Sequence, residues 1–345
     1  MEDEKSIVSE NKKHTHSSSL IPLSHPKLKF FQEILGLSPY KLRWQQAMIA
    51  IRGGKHLPRS KAGLSALKHL YFYYGPKMWM GTAIRPRTVV ISNLFNHTQT
   101  PYQLGWSVKK TQVLDFRQGQ LTYDSHNGTD FAIIPGSKVC TAAAGYVVHI
   151  LSEFNRGGLK VFIDHGQGLM TCYAHLARSL VQVGDYVQRG QIIALSGYSG
   201  LDALLTFPWG LPHVHFNVWL NGVPIDPFPT HEQEISMWRS HAMPQPILDY
   251  DICTQTHEQV HPSIYDKVKL QAAIHSCLIP EIKSSLLAIT DLKQRAAQLI
   301  ATRNYYPTRF TQHDSIYATT HTRRAILDLP FAQVDFDHVA FLDQL

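Results

Sequence analysis

The sequence predicts an α+β protein in which helical flanks enclose a β-rich centre, and three observations carry that expectation. Before residue 86, segments such as KLKFFQEILGL and YKLRWQQAMIAI place apolar residues at helical spacing, with a Gly53-Gly54 break after the second. From about 86 to 229 the texture changes to short β-rich runs separated by turn residues, among them RTVVISNLF, KVFIDHG, LMTCYAHL, QIIALSG and HVHFNVWL. Beyond Pro227 and Pro229, apolar residues recur at spacings of three and four at Ile282, Leu286, Ile289, Leu292, Ala296 and Leu299, which is one face of an amphipathic helix. Pro280 and Glu281 suit the N-terminus of that helix. The resulting division is a disordered tail over 1–20, a helical region over 21–85, a β-rich region over 86–229 and a helical region over 230–345.

Composition narrows the function classes. The hydrophobic content of 44% and charged content of 17% are those of an ordinary globular protein. There is no apolar run of about 18 residues, so no membrane-spanning helix is expected. The first twenty residues, MEDEKSIVSENKKHTHSSSL, lack the apolar core of a secretory signal, and export by the usual signal-peptide route is not expected. A net charge of +7 gives weak attraction to polyanions, but no basic run carries interleaved aromatics, so nucleic acid is not an expected partner. The four cysteines, Cys140, Cys172, Cys253 and Cys277, show no CxxC spacing and read as small buried hydrophobes.

The candidate chemistry lies in the centre. In TYDSHNGTDF, His126 and Asp130 stand four apart, and the Asn127-Gly128 pair between them favours a tight turn from which both side chains could converge. In PHVHFNVWL, Val214, Phe216 and Val218 alternate with His213, His215 and Asn217, the pattern of a strand with one apolar face. Alternation puts His213 and His215 on one face about 7 Å apart, close enough for one to bind a metal while the other reaches a water beside it. His175 in TCYAHLARSL shares a strand face with Thr171 and Tyr173, whereas His149 and His165 read as structural. Two neutral imidazoles and a carboxylate suit a catalytic zinc, which takes three protein ligands and leaves one position for water. Further histidines can then accept the water's proton or steady a developing oxyanion.

These pieces occur in a recognisable order. HNGTDFAIIPGSKVCTAAAGYVV, VFIDHGQGLMTCYAHL, VQVGDYVQRGQIIALSGYSG and PHVHFNVWLNGVPIDP resemble successive motifs of the M23 metallopeptidases, the lysostaphin/LytM type with a duplicated hybrid motif fold. The resemblance covers roughly residues 110–229 and neither flank. It implies a mainly antiparallel β-sheet sandwich with a groove over one zinc ion, His126, Asp130 and His215 as ligands, and His213 and His175 as the catalytic histidines. His213 is then the general base and His175 the transition-state stabiliser, or the reverse. The resemblance also implies an endopeptidase cutting peptides of peptidoglycan stems or cross-bridges at the cell envelope or outside the cell. Gly184, Gly190, Gly197 and Gly200 read as turn glycines needing positive φ.

Two departures from the family pattern stand out. The twelve residues LDALLTFPWGLP between Gly200 and His213 are a longer link than usual, expected to pack on a helical flank or to wall the groove. Asn217 replaces an acidic residue. Two other function classes compete with an enzyme. A wall-binding or regulatory module that has lost its chemistry should lack at least one of the five polar residues, and all five are here. A biotinyl or lipoyl carrier, suggested by VQVGDYVQRGQIIALSG, needs a lysine at a hairpin tip, and none lies between Lys160 and the end of the β region.

Overall fold

The computed structural model describes residues 27–229, 235–241, 243–248 and 258–345; the tail expected over 1–20 and Cys253 lie outside them. Among the described residues eleven strands join in one sheet: β1 (Thr88–Asn93), β2 (Thr129–Ala132), β3 (Lys138–Cys140), β4 (Gly145–Glu153), β5 (Gly158–Gly166), β6 (Leu169–Ser179), β7 (Tyr186–Val187), β8 (Ile192–Ser196), β9 (His213–Leu220), β10 (Val223–Ile225) and β11 (His338–Phe341). The main path runs β11-β1-β2-β9-β6-β5-β4-β7, with β10 on β9 and with β8 bridging β3 to β6. Among the described strands only β1 and β11 pair in parallel.

Period-two alternation sends Val214, Phe216 and Val218 of β9 to one side, where they meet Phe131 of β2 and Tyr173 of β6. Val139 of β3 and Ile193 of β8 close over the same core, which makes two layers. Each large apolar side chain buried there is worth roughly 1.5–3 kcal/mol. The other face of β9 is not the solvated polar face that alternation suggests. Asn217 and Trp219 are both 1% exposed, because C-terminal helices cover them.

The flanks are less regular than their patterns. Of the two N-terminal helical segments, YKLRWQQAMIAI forms α1 (Tyr40–Arg52), ended by Gly53 at φ 84°, while FFQEI makes only a single π-helical turn at Phe30–Ile34. A 3₁₀ turn (Leu64–His69) and the short α2 (Tyr74–Trp79) follow. The twelve-residue link contains α3 (Leu201–Thr206) and serves both expected uses. Phe207 packs on Phe30 and Trp79, while Asp202, Leu205 and Thr206 wall a cavity beside the site.

In the C-terminal part, α4 spans Lys267–His275. The stripe from Ile282 to Leu299 divides into α5 (Pro280–Ala288) and α6 (Leu292–Tyr305). Asp291 ends the continuity by capping α6 at Gln294 N, 2.7 Å away, while Arg295 Nε donates to Ile289 O at 2.7 Å. The stretch expected to be helical to its end also supplies strand β11, in register with β1 from Thr88↔His338 to Ile91↔Phe341. Among the described residues no helix is long and apolar enough to cross a membrane. Cys140, Cys172 and Cys277 are free and buried.

Candidate metal centre

His126 sits near the end of a long irregular connection between β1 and β2, and buried polar groups hold that connection in place. Asn96 Nδ2 donates to the carbonyls of Gln112, Tyr123 and Asp124 at 3.0–3.1 Å. Asp124 accepts from the Thr111 and Gln112 amides and from the Ser107 and Thr111 hydroxyls. The imidazole is fixed in turn, with its Nδ1 2.6 Å from Leu94 O. A carbonyl only accepts, so Nδ1 carries a proton, and a metal at Nε2 would take the lone pair there.

That lone pair points at two neighbours. Asp130 on β2 and His215 on β9 are direct cross-strand partners, so their side chains share one face of the sheet. Asp130 Oδ1 lies 3.0 Å from His126 Nε2 and 2.7 Å from His215 Nδ1, and the two nitrogens are 3.1 Å apart. All three residues are buried and each offers one ligand atom to a common point. Ligand atoms about 2.0–2.1 Å from one tetrahedral zinc lie roughly 3.3 Å from each other, and the observed triangle is only slightly tighter. Three atoms with lone pairs facing one another in a buried site repel unless a cation or a shared proton lies among them. Nitrogen and oxygen donors without thiolate suit zinc. Burial opposes ionisation of Asp130, but the surrounding histidines outweigh it and hold its carboxyl well below the usual range. Burial lowers the His215 pKa, with Asp130 opposing.

His213 and His175 border this triangle. His213 Nδ1 bonds Leu211 O at 2.9 Å, and its Nε2 stands 3.6 Å from Asp130 Oδ1. His175 comes from β6, where the pairing with β5 slips by one residue between Leu159 and Val161. At that bulge His175 adopts φ +60°, a conformation rare for a non-glycine residue and one that re-aims its ring. Its Nδ1 bonds Ser199 O at 2.8 Å, and its ring centroid is 4.8 Å from that of His213. Burial, then His213 and His215, push the His175 imidazole well below its ordinary pKa. The other two histidines have local partners: His149 stacks on Phe162, and His165 bonds Ala144 O and Thr171 Oγ1.

Residues 124–227, which hold all five of these groups, match the model of peptidase family M23. This stretch belongs to that family. Over 101 residues it is 40% identical to peptidoglycan DD-endopeptidase ShyA of Vibrio cholerae, covering 29% of this chain and 22% of that protein. Lysostaphin of Staphylococcus simulans is 33% identical over 109 residues, 30% of this chain and 21% of lysostaphin. The solved catalytic domain of lysostaphin matches at 31% identity with a TM-score of 0.27, covering 31% of this chain and 78% of that domain. The match thus spans about a fifth of the length of these curated relatives.

Around the M23 site the structure adds two groups that the sequence did not single out, Asn93 and Tyr198, and gives Asn217 and Gly128 roles beyond those read from the sequence. Asn93 of β1 donates from Nδ2 to Asp130 Oδ2 at 2.9 Å, orienting the carboxylate from behind. Tyr198 lays its ring 4.7 Å from His213 and 5.4 Å from His175. Asn217 donates to Asn127 O and accepts from Tyr305 OH, so α6 braces the loop that carries His126. Gly128 is required by close approach rather than by its turn: a Cβ there would stand 2.7 Å from Phe216 O and 2.8 Å from His215 Nε2. Of the four turn glycines, Gly184, Gly190 and Gly200 have positive φ, whereas Gly197 is excluded from carrying a side chain by the Ala177 backbone.

Proposed function

We propose that the chain is a zinc-dependent endopeptidase acting on peptide bonds of peptidoglycan stems or cross-bridges, with one ion held by His126, Asp130 and His215. The convergence of these three side chains on one point, inside the M23 stretch, is the observation that carries this reading. The substrate class is drawn from the named activity of relatives such as the Vibrio DD-endopeptidase, and with it goes a site of action at the cell envelope or outside the cell. Zinc, when bound, would supply Lewis acidity that polarises a carbonyl and lowers the pKa of water to about 7.

The chain's own residues do the rest. His213, with Nδ1–H committed to Leu211 O and Nε2 3.6 Å from Asp130 Oδ1, offers that Nε2 lone pair as the proton acceptor beside the ligands. His175, fixed by Ser199 O and boxed by Tyr198, faces His213; its Nδ1–H is spent on that carbonyl, so it is assigned to the developing oxyanion in the form that also carries a proton on Nε2. Asn93 and the strand register keep Asp130 aimed.

A purely binding role is the second reading, and the completeness of the five-residue set argues against it. Purified peptidoglycan incubated with and without chelator, followed by mass analysis of the fragments, tests the activity. His213→Ala is expected to retain one zinc per chain while turnover falls roughly 10²–10⁴-fold. Wild-type turnover in that variant would remove the role given to His213, and a zinc-free wild type would favour the binder.

A further inference from the structure

The space around the metal centre opens into two cavities of different chemistry. The first, about 360 Å³, is lined by Asp130, His175 and His213 together with Leu67, Leu70 and Leu205, and no Lys or Arg among the described residues lines it. The second, about 300 Å³, begins at Ser125 and Asn127, on either side of His126, and contains Trp106, Arg156 and Arg303. A narrower passage of about 110 Å³ touches His175, His215, Trp106, Asn127 and Arg156 and so joins the second cavity to the centre. The passage also carries Lys61 and Asp202. Among the described residues, no Asp or Glu lines the second cavity.

Arg156 dominates this second arm. It lies in the hairpin loop between β4 and β5, with its guanidinium carbon 4.8 Å from the centroid of the Trp106 ring. Its Nη1 is buried with no hydrogen-bond partner among the described residues. Arg303, from α6, is 4% exposed and donates Nη1 to Asp314 O at 2.9 Å; the Asp314 side chain acts on its charge but does not line the cavity. A buried guanidinium with an unused donor is costly unless an anion or a polar group completes it. The planar fork, placed over an indole, matches the two oxygens of a carboxylate.

We propose that this cavity is a subsite for a carboxylate of the peptide substrate, gripped by Arg156 and supported by the field of Arg303. The assignment rests on the peptidase reading for its ligand class. It gives the groove a direction: a carboxylate-bearing residue of the peptide lies on the Arg156 side of the cleaved bond, and an uncharged residue lies on the Leu67–Leu205 side. Arg303 lies outside the M23 stretch, so the flanking helix takes part in selecting the substrate.

The test is calorimetric titration of the full chain in chelator, where no hydrolysis competes. The probes are the peptide Ala-Glu-Lys-Ala, its C-terminal amide, and its analogue with Gln in place of Glu. The free acid is expected to bind at least about tenfold more tightly than one of the two neutralised peptides, and the one that loses identifies which carboxylate is held. Arg156→Gln should abolish the difference, and Arg156→Lys should restore only part of it. Equal affinity of the wild type for all three peptides, no binding of any, or undiminished discrimination by Arg156→Gln overturns the subsite. The wild-type comparison decides the matter alone if the variants do not fold. Peptidoglycan digestion by the zinc-loaded wild type, measured separately, tells failure of the subsite from failure of the peptidase reading.

Discussion

Replacing Asn93 by alanine removes one hydrogen bond that touches the proposed metal only through Asp130. The bond is 2.9 Å long, runs to a carboxylate that is 1% exposed, and starts from a residue that is itself 8% exposed, so no solvent can substitute for it cheaply. Hydrogen bonds to charged groups contribute about 1.5–3 kcal/mol, which would correspond to roughly 10- to 140-fold in a binding constant. Asn93 steadies Asp130 both with and without metal, so part of that energy appears as lost stability and only the remainder as lost affinity. Zinc affinity should therefore fall about tenfold, at the low end of the 10–100-fold range for groups that orient metal ligands. The metal-free protein should also melt at a lower temperature. Competition against a chromophoric chelator reads the first quantity, and thermal unfolding in excess chelator reads the second. A variant within twofold of the wild type in affinity and unchanged in melting would show that Asn93 does not hold Asp130 in place.

Two further substitutions probe how the ligands are positioned. Gly128→Ala should cost about 1–3 kcal/mol of stability and weaken zinc binding, because its Cβ meets the Phe216 carbonyl and the His215 ring, neither of which has room to move; a urea midpoint equal to wild type would contradict this. Asp124→Asn tests the anchor of the long connection: burial alone raises the Asp124 pKa, but donors from Thr111, Gln112 and Ser107 bring it below the usual carboxylate range. A depressed folded-state pKa means the ionised group stabilises the protein above the unfolded value of about 3.9, and that this contribution is lost as pH falls through the lower folded value. The melting-temperature gap between wild type and Asp124→Asn should be full near neutrality and close in acid, and a constant gap across that range would refute the assignment.

The parts of this molecule legible in the sequence are those written in local order. His126, Asp130, His175, His213 and His215 sit inside motifs whose spacing and sequence can be matched, and the alternation of β9 alone is enough to set His213 and His215 on one face. Groups recruited from a distance were not legible. Asn93 becomes a partner of Asp130 only through the β1–β2 register, across 37 positions, and RTVVISNLF by itself says no more than strand. Strand β11 has four residues and pairs with β1 some 250 positions away, so no local period announces it. Periodicity misled where two helices pack on one face: Ile282 to Leu299 keep a helical rhythm through Ile289, and only the Asp291 cap divides it. Trp219 belongs by alternation to a polar face yet is buried, because the C-terminal helices supply it with an apolar partner surface. Arg156 and Arg303 are 147 positions apart, and only the folded chain puts them in one cavity.

The claim that everything here depends on is a single ion bound by two imidazoles and one carboxylate. Zinc K-edge X-ray absorption on the reconstituted protein, beside metal content per chain for wild type and Asp130→Ala, examines it directly. The account predicts one zinc per chain, two histidine-type scatterers, oxygen in the remaining first coordination positions, no sulfur, and loss of the ion in Asp130→Ala. Sulfur in the coordination sphere, or an Asp130→Ala variant that binds zinc as well as wild type, would contradict it.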